Sequence, residues 1–256
     1  MSASGTQTRI AIVTGAGLGN GGLGRHIAGQ LARDGLSLMI ADIDPQVEKL
    51  AESIRGETGV EVLWHAGDLS QEAQVEAMVA KTIERFGRID VLVNNAGGGI
   101  ITPFLKHDAA SLTTTINRNL WTTLWACHKT LPHMVERKHG RIVNIGADSL
   151  RTGIPDHAGY NAAKGGVVGM TVGLAREFAH LDITVNTVSP CVINTERFRG
   201  MMQNNPTLSK AFTDVVPKGR GAEISEVADM VSFLARIETA FITGQDFSVN
   251  GGSAMP

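Results

Sequence analysis

Residues 14–24 read Thr-Gly-Ala-Gly-Leu-Gly-Asn-Gly-Gly-Leu-Gly and lie between the apolar run Ile10–Thr14 and the amphipathic segment Arg25–Arg33. The apolar run predicts a buried strand, and the one-sided segment predicts a helix. Glycines at such a junction let the backbone turn tightly and bring the N-terminus of the helix against a pyrophosphate group. A glycine-rich run by itself is also compatible with a flexible turn, but the strand before it and the helix after it favour phosphate binding.

Short apolar runs recur along the chain between longer helical patterns. Each run has the length of a buried strand, and this alternation is typical of successive βαβ units around a parallel sheet. No repeat, low-complexity tract or linker divides the sequence. We therefore predict a single domain over residues 1–256 with a Rossmann fold, which is an α/β doubly wound seven-stranded parallel sheet with helices on both faces. The predicted strands are Ile10–Thr14, Leu36–Ala41, Val60–Trp64, Val91–Asn94, Arg141–Ile145, Thr184–Val188 and Asp246–Val249.

Two long helical patterns and one irregular segment complete the predicted fold. The helical patterns cover Ser111–Met134 and His157–His180, and the second is rich in alanine and glycine. Residues 194–221 are polar, are interrupted by Pro206 and Pro217, and carry many large side chains. We predict that this segment is a loop or lid over a substrate.

The composition is typical of a globular protein that binds a small molecule. Hydrophobic residues make up 43% and charged residues 19%, and the formal net charge is -2, so the chain lacks the positive field that attracts nucleic acids. The two cysteines, Cys127 and Cys191, do not have the spacing of a disulfide framework or a metal site. The segment Met1–Thr8 lacks the pattern of a leader, and no apolar run is long enough to span a membrane. We expect a cytoplasmic protein without a nucleic-acid, membrane or metal partner.

Asp42 stands at the end of the second predicted strand. A carboxylate at this point accepts hydrogen bonds from an adenosine ribose and repels a 2′-phosphate. The next residue is Ile43, so no arginine stands there to bind an additional phosphate. This pattern favours NAD over NADP as the cofactor, with a solvated acid or a helix cap as the alternative interpretation of Asp42.

The motif Tyr160-Asn-Ala-Ala-Lys164, together with Asn94-Asn-Ala-Gly97 and the glycine stretch, resembles the short-chain dehydrogenase/reductase family. The resemblance covers nearly the whole chain, and its elements follow one another in the order of the family. It implies an NAD-dependent oxidoreductase that transfers a hydride between nicotinamide and a secondary alcohol or ketone, with a cyclic or hydroxyacyl compound as a candidate substrate. It also implies a homo-oligomer, either a homodimer or a homotetramer.

The resemblance assigns catalysis to Asn119, Tyr160 and Lys164. Residues four apart share a helix face, so Lys164 is expected beside Tyr160, where its charge lowers the phenol pKa and its ammonium holds the nicotinamide ribose. The phenol would then exchange a proton with the substrate oxygen near neutral pH. Asn119 would hold a water and Lys164 in a proton relay. Without the surrounding motifs, a structural tyrosine packed in a helix interface would be the simpler interpretation.

The resemblance also implies a set of cofactor-binding residues, although two alignments of the glycine loop remain open. One alignment uses Gly15, Gly19 and Gly21, and the other uses Gly22-Leu23-Gly24, which leaves about three extra residues in the loop. Asp68 and Leu69 would lie near the adenine, and Ile193 and Thr195 near the carboxamide. The full set is Gly15, Gly21, Gly22, Leu23, Asp42, Ile43, Asp68, Leu69, Asn95, Gly97, Tyr160, Lys164, Ile193 and Thr195.

Ala147 departs from the family pattern, because the family places there a serine hydroxyl that binds the substrate oxygen. Loss of such a donor costs about 2.7 to 4 kcal/mol of transition-state stabilisation. Three explanations remain open: Ser149 or Asp148 replaces the donor, the alanine is an engineered Ser→Ala change, or the chain is a natural member with weak or different activity. A nucleotide-binding protein that has lost catalysis is the alternative function, and the intact catalytic residues favour the enzyme.

Large side chains of segment 194–221 and residues near the tyrosine are candidates for substrate contact. Aromatic and methionine side chains there indicate an apolar or ring-shaped substrate, and basic residues could meet an acidic group. Simple solvation is the alternative interpretation of the basic residues. The candidates are Phe198, Met201, Met202 and Phe212, the basic residues Arg197, Arg199 and Lys210, and also Arg151 and His157.

Overall fold

A parallel β-sheet forms the centre of the chain. The computed structural model describes residues 8–17, 22–205, 207, 210 and 214–255. The strands in these residues are β1 (Ile10–Thr14), β2 (Ser37–Asp42), β3 (Val62–Ala66), β4 (Val91–Asn94), β5 (His139–Ile145), β6 (Asp182–Pro190) and β7 (Asp246–Val249). They form one seven-stranded sheet in the order β3-β2-β1-β4-β5-β6-β7, and every neighbouring pair is parallel.

Helices connect the strands. In chain order they are α1 (Leu23–Arg33), α2 (Val47–Thr58), α3 (Glu72–Phe86), α4 (Ala109–Ile116), α5 (Thr122–Arg137), α6 (Ser149–Thr152), α7 (Ala158–Phe178), α8 (Glu196–Asn204) and α9 (Ile224–Leu234). Short 3₁₀ turns occur at Phe104–Lys106 and Ile237–Thr239. Among the helices that the structure describes, none has both the length and the apolar character that a membrane crossing requires.

Both faces of the sheet are buried, because alternate residues of the strands enter two separate apolar clusters. In β1, Ala11 and Val13 belong to the cluster that includes residues of α1, α2 and α9, whereas Ile12 belongs to the cluster that includes residues of α3, α5 and α7. A strand that is covered on both faces has no polar side, which explains why the sequence shows continuous apolar runs. The architecture confirms the predicted fold class.

The structure corrects the bounds of several predicted elements. The second and third strands begin later than predicted, and β5 and β6 are longer than the apolar runs that predicted them. The predicted helix Ser111–Met134 is wrong as one element, because a π-helical turn at Asn117–Trp121 separates α4 from α5. The segment 194–221, predicted as a loop or lid, contains the helix α8. Hydrophobic periodicity locates elements, but local hydrogen bonding fixes where each one ends.

The order of the strands creates a crevice beside β1. Strand β1 pairs with β2 on one side and with β4 on the other, and Thr14 and Asn94 are in register at the carboxyl ends of β1 and β4. From β1 the chain continues to β2 and β3 on one side of this point, and then it crosses to β4 on the other side. In open parallel sheets ligands bind in such a crevice, beyond the carboxyl ends of the strands, so this edge is where a site is expected.

Candidate active site

The glycine stretch brings the N-terminus of α1 against the end of β1. Gly15 has a φ of 63°, and a Cβ atom on it would lie 2.6 Å from the Cα atom of Ala96. Helix α1 begins after Gly22, which has a φ of 83° and contributes no side chain to cap the first amides. A Cβ atom on Gly24 would lie 2.1 Å from the carbonyl oxygen of Gly15. The helix can therefore approach this closely only because position 24 is glycine.

This packing places Gly22-Leu23-Gly24, the segment used by one of the two predicted alignments of the loop, at the start of α1. Leu23 is the first residue of α1 and is buried in the core, so its backbone and not its side chain is turned toward the crevice. Gly19 and Gly21, which the alternative alignment uses, lie outside the described residues.

Asp42 is fixed beside the glycine stretch at the end of β2. Its Oδ2 atom accepts a hydrogen bond of 2.7 Å from the amide of Gly17, and its Oδ1 atom accepts one of 2.9 Å from the amide of Asp44. The residue is 9% exposed. Its neighbour Ile43 extends its side chain into solvent. The carboxylate is therefore held at the rim of the crevice, where the sequence predicts contact with a ribose.

A shallow pocket of about 180 Å³ lies between the glycine stretch and α2. Gly17 and Asp44 line it together with the two cations Arg25 and Lys49, both of which have exposed side chains. These cations were not predicted as part of the site, because Arg25 lies on α1 and Lys49 on α2, away from the glycine motif and the strand ends. Their positive charges, next to Asp42, affect the predicted preference between NAD and NADP.

The end of β3 lies next to this rim. The amide of Gly67 donates to the carbonyl oxygen of Asp42 over 2.9 Å, which joins the two strand ends. Asp68 is exposed, and its Oδ1 atom accepts from the amide of Ser70. Leu69 is 4% exposed and packs into the core with α3. Any contact of Leu69 with an adenine would therefore be made by its backbone.

The hydroxyl of Thr14 organises the loop that follows β4, a role that the sequence analysis missed. Its Oγ1 atom accepts hydrogen bonds of 3.1 Å from the amides of Asn95 and Ala96. The side-chain amide of Asn95 donates to the carbonyl oxygen of Gly15 over 2.7 Å. The side chain of Asn95 thus holds the glycine stretch in place. Its effect on the predicted cofactor site is to position that stretch.

Asn119 lies in the π-helical turn and is fully buried. Its Oδ1 atom accepts from the amide of Gly98 over 3.1 Å, and its Nδ2 atom donates to the carbonyl oxygen of Thr115 over 2.8 Å. A Cβ atom on Gly97 would lie 2.7 Å from Asn119 Oδ1 and 3.4 Å from Lys164 Nζ. The structure therefore brings together three of the predicted site residues, and the space between them exists because Gly97 has no side chain.

Tyr160 and Lys164 lie one turn apart on α7 and share the same cleft. The Lys164 Nζ atom is 5.9 Å from the centroid of the Tyr160 ring. A Cβ atom on Gly99 would lie 2.6 Å from the Tyr160 ring, so the ring packs directly on that backbone. The ring of His157 meets it edge to face, with 6.2 Å between the centroids. His157, a predicted substrate contact, thus lies beside the phenol.

The pKa values of this pair differ from the prediction made from the sequence. Burial raises the pKa of Tyr160 to about 12 and lowers the pKa of Lys164 to about 8. In the protein alone the net shift of the phenol pKa is therefore upward, opposite to the shift expected from Lys164. The physical reason is that Lys164, 3% exposed, donates to the carbonyl oxygen of Ile145 over 2.7 Å, while desolvation disfavours the phenolate.

The turn that contains Ala147 is tied to α7 on both sides of Ala147. On one side Lys164 binds the carbonyl oxygen of Ile145, and on the other the side-chain amide of Asn161 donates to the carbonyl oxygen of Ser149 over 3.0 Å. Ala147 lies between these two bonds and is 6% exposed. The turn that carries Ala147 is therefore fixed against α7, and Ala147 itself has no side-chain donor.

The two residues predicted as replacements for a serine at this turn are both engaged elsewhere. The hydroxyl of Ser149 donates to Asn161 Oδ1 over 2.6 Å. Asp148 is fully buried, and its carboxylate accepts from Ser253, Ser248 and Asn250. These three residues belong to the segment from β7 to the C-terminus. The hypothesis that Ser149 or Asp148 supplies the missing donor is therefore not supported by the geometry.

The remaining candidates lie after β6 and around the C-terminal segment. Ile193 forms an isolated bridge with Ala222, and the hydroxyl of Thr195 accepts from the amide of Phe198 at the start of α8. Arg151 donates to the side chains of Asp246 and Ser248, and its contact with a substrate stays a prediction. Arg199 donates to the carbonyl oxygen of Asn194, and Lys210 pairs with Asp214. Phe212 and the side chains of Arg197, Met201 and Met202 lie outside the described residues.

Cys127 is buried, and burial raises its pKa to about 12. Its sulfur accepts from the side-chain amide of Asn94 over 3.3 Å. In the part of the chain that the structure describes, no three histidine, cysteine, aspartate or glutamate side chains come together as metal ligands would.

Known proteins with similar sequences and structures are named as dehydrogenases and reductases. The family described as enoyl-(acyl carrier protein) reductase matches residues 17–254. The 2,3-dihydroxy-2,3-dihydro-p-cumate dehydrogenase of Pseudomonas putida is 50% identical over 97% of this chain and 95% of its own length. The crystal structure of levodione reductase has a TM-score of 0.87 at 33% identity, covering 95% of this chain and 96% of that one. The NADPH-dependent reductase YwfH has a TM-score of 0.89 at 27% identity, covering 97% and 99%.

Proposed function

This chain belongs to the short-chain dehydrogenase/reductase family and is an oxidoreductase of alcohols and ketones, and on that premise we propose that it uses NAD to interconvert a ring-borne secondary alcohol and its ketone. The observation that carries the proposal is the meeting of Tyr160, Lys164 and Asn119 in one cleft beside Gly97, at the carboxyl end of the sheet.

The residues at the crevice fit a dinucleotide. The first amides of α1 have no side-chain cap at Gly22, and the contact of Gly24 with Gly15 brings them to the crevice. Uncapped amides at a helix N-terminus bind phosphate oxygens well. A bound nicotinamide dinucleotide supplies a hydride acceptor for alcohol oxidation and a hydride donor for ketone reduction.

Asp42 supports NAD as the preferred dinucleotide. The amides of Gly17 and Asp44 hold its carboxylate in position, so a 2′-phosphate at that place would meet a fixed negative charge. Arg25 and Lys49 in the neighbouring pocket work in the opposite direction, because they would attract such a phosphate. We infer a preference for NAD on the ground that Asp42 is the better fixed of these charges.

Tyr160 acts as the acid and base in this proposal. In oxidation its oxygen takes the hydroxyl proton of the substrate, and in reduction it returns that proton to the carbonyl oxygen. The Lys164 ammonium is the positive charge that this chain provides one helical turn away, and it stabilises the phenolate form. Asn119 keeps the π-helical turn joined to the loop at Gly98 and so maintains the cleft.

A ring-borne alcohol fits the surroundings of the phenol. The backbone of Gly99 and the ring of His157 pack against the Tyr160 ring. The similar dehydrogenase from Pseudomonas putida is named for a cyclic dihydroxy compound. Segment 194–221, with α8, would close over such a ring. We also infer a homo-oligomer, since the apolar side chains of Trp121 and Val172 are exposed near the long helices.

The proposal is tested with a panel of cyclic and open-chain secondary alcohols and hydroxyacyl thioesters. Each compound is mixed with the protein and with NAD or NADP, and formation of reduced nicotinamide is followed by its absorbance. The expected result is oxidation of cyclic alcohols with NAD. Activity confined to NADP would overturn the cofactor assignment, and activity confined to thioesters would overturn the ring-alcohol assignment.

A further inference from the structure

The short helix α6 is fixed along one face of α7. The hydroxyl of Ser149 donates to Asn161 Oδ1 over 2.6 Å, and Asn161 Nδ2 donates back to the carbonyl oxygen of Ser149 over 3.0 Å. A Cβ atom on Gly165 would lie 3.6 Å from the side chain of Leu150, which is the second residue of α6. Because Asn161 and Gly165 are one turn apart, these contacts lie on one side of α7.

This side of α7 adjoins Tyr160. Asn161 follows Tyr160 directly in the chain, and Lys164 comes one turn after it. Lys164 donates to the carbonyl oxygen of Ile145, the residue from which the chain leaves β5 toward α6. Two residues next to Tyr160 on the helix are therefore bonded to the connection between β5 and α6. The position of α6 thus sets the position of the first turn of α7.

The chain after β7 holds α6 in turn. The carboxylate of Asp148, the residue before α6, is fully buried and accepts from the hydroxyl of Ser253 over 2.6 Å. It also accepts from the hydroxyl of Ser248 over 3.1 Å and from the side-chain amide of Asn250 over 3.2 Å. Three residues further on, Arg151 donates to the hydroxyl of Ser248 over 2.8 Å. Both ends of α6 are therefore bonded to β7 and to residues 250–254.

Residues 250–254 have a fixed shape of their own. The Oδ1 atom of Asn250 accepts from the amide of Gly252 over 2.9 Å, and its Nδ2 atom donates to the carbonyl oxygen of Ala254 over 2.8 Å. The carbonyl oxygen of Gly251 accepts from the amide of Lys218 over 3.2 Å, which joins this segment to the chain that returns from α8. The segment is therefore a preorganised support for the carboxylate of Asp148.

The buried carboxylate is better suited to fixing a position than to stabilising the fold. Its removal from water costs free energy, which the hydrogen bonds from its three neutral donors offset. These bonds are directional, and a buried polar network with every member satisfied rigidifies the groups that it joins. The end of α6 next to Ala147 is therefore held in one arrangement.

We propose that Asp148, Asn250 and Ser253 are positioning residues for Tyr160: the chain after β7 holds α6, and α6 holds the first turn of α7. This inference rests on the proposed role of Tyr160 as acid and base. A misplacement of about 1 Å at a reacting group lowers the rate by about 10². The value of kcat should therefore depend on hydrogen bonds that neither the substrate nor the phenol makes.

Ser253→Ala removes the shortest of the three side-chain bonds to Asp148, and Ser232→Ala is its matched control. Ser232 also donates to an aspartate over 2.6 Å, but this is Asp34 at the C-terminal end of α1, whereas the crevice lies at the N-terminal end of that helix. Both variants are assayed with NAD and the cyclic secondary alcohol that the unchanged protein oxidises fastest. Ser253→Ala is expected to lower kcat at least about tenfold with little change in KM for NAD, and Ser232→Ala is expected to leave both unchanged.

The ionisation of Tyr160 gives a second readout that needs neither cofactor nor turnover. Because Tyr160 is the single tyrosine, phenolate absorbance reports on it alone. If loss of the Ser253 bond loosens the first turn of α7, water reaches the phenol and its pKa falls toward the ordinary value. Phenolate absorbance at pH 10 is therefore expected to rise in Ser253→Ala and not in Ser232→Ala, with folding of both verified by circular dichroism.

The two readouts together decide the proposal. If Ser253→Ala is folded and keeps either the kcat or the phenolate absorbance of the unchanged protein, the bond is only structural and the proposal is wrong. Should Ser253→Ala not fold, Ser248→Ala removes another donor to the same carboxylate and is judged in the same way. Failure of the proposed function is distinguishable, because Tyr160→Phe would then oxidise the alcohol at nearly the unchanged rate, whatever the phenolate absorbance of Ser253→Ala.

Discussion

The ammonium nitrogen of Lys164 donates a hydrogen bond of 2.7 Å to the backbone carbonyl oxygen of Ile145, the last residue of β5. This bond joins helix α7 to the carboxyl end of β5. It also accounts for the burial of the lysine, because a buried ammonium needs a partner. Lys164 thus lies close to the ring of Tyr160, but its ammonium is bonded to the backbone. Burial is therefore the main cause of the shift of both pKa values, upward for Tyr160 and downward for Lys164.

The first prediction concerns stability and Lys164. Folding lowers the pKa of Lys164 from 10.5 to about 8. Below that value the folded protein carries the full cost of a buried charge, and between 8 and 10.5 the unfolded chain binds more protons, so the free energy of unfolding rises with pH. Relative to Lys164→Met, the unchanged protein should gain up to about 3 kcal/mol as the pH rises from about 7 to 10.

Denaturant unfolding at several pH values measures this difference. Lys210→Met is the matched control, because Lys210 has an exposed side chain paired with Asp214, and its stability curve should remain parallel to that of the unchanged protein. A curve for Lys164→Met that is also parallel would show that the lysine is not desolvated.

The second prediction uses the fact that Tyr160 is the single tyrosine of the chain. Burial raises its pKa to about 12, so the folded protein should show almost no phenolate absorbance at pH 10, where a free phenol is about half ionised. Addition of NAD should increase the phenolate fraction, because the oxidised ring adds positive charge to the cleft. The urea-unfolded protein provides the half-ionised reference, and half ionisation of the folded protein without NAD would contradict the burial.

The third prediction concerns cofactor choice. Asp42→Ala removes a fixed negative charge and leaves Arg25 and Lys49 in the adjoining pocket, so the ratio of kcat/KM for NADP to that for NAD should rise at least about tenfold. The double variant Asp42→Ala with Arg25→Ala should lose much of this gain. An unchanged ratio in the single variant would mean that Asp42 is only a structural acceptor for Gly17 and Asp44.

The sequence predicted those parts of the structure that depend on local pattern. The strand β1, the glycine stretch and the one-turn spacing of Tyr160 and Lys164 follow from apolar runs and from helix periodicity. Asn119 was predicted by resemblance, but the π-helical turn that holds it was not, because an inserted turn leaves the apolar pattern of the flanking helices intact.

The contacts that cross the fold were not predictable from the sequence. The distance in the chain between Asp148 and Ser253 gives no signal of their hydrogen bond, which depends on how β5 and β7 are placed on either side of β6. The predicted direction of the pKa shift of Tyr160 was wrong for the same reason. Spacing shows that a lysine is near, whereas burial depends on the whole packed site.

The fourth prediction concerns Asp148. Its buried carboxylate accepts hydrogen bonds from Ser248, Asn250 and Ser253, so Asp148→Asn replaces an acceptor with a donor amide among donors. The free energy of unfolding should fall by about 3 kcal/mol, and the end of the chain after β7 should become sensitive to protease. Asp34→Asn is the control, because Asp34 accepts from Ser232 at an exposed position and should cost less than about 1 kcal/mol. Equal costs for both variants would contradict the structural role of Asp148.

The proton transfer by Tyr160 is tested most directly by comparing the unchanged protein with Tyr160→Phe. Both are mixed with NAD and the cyclic secondary alcohol that the unchanged protein oxidises fastest. Formation of NADH is followed by absorbance, and binding of NAD to each protein is measured by calorimetry. We predict that NAD binds both proteins with similar affinity and that NADH formation in Tyr160→Phe is slower by at least about 10³. If the variant forms NADH within about tenfold of the unchanged rate, the phenol is not the acid and base, and the account of this site is wrong.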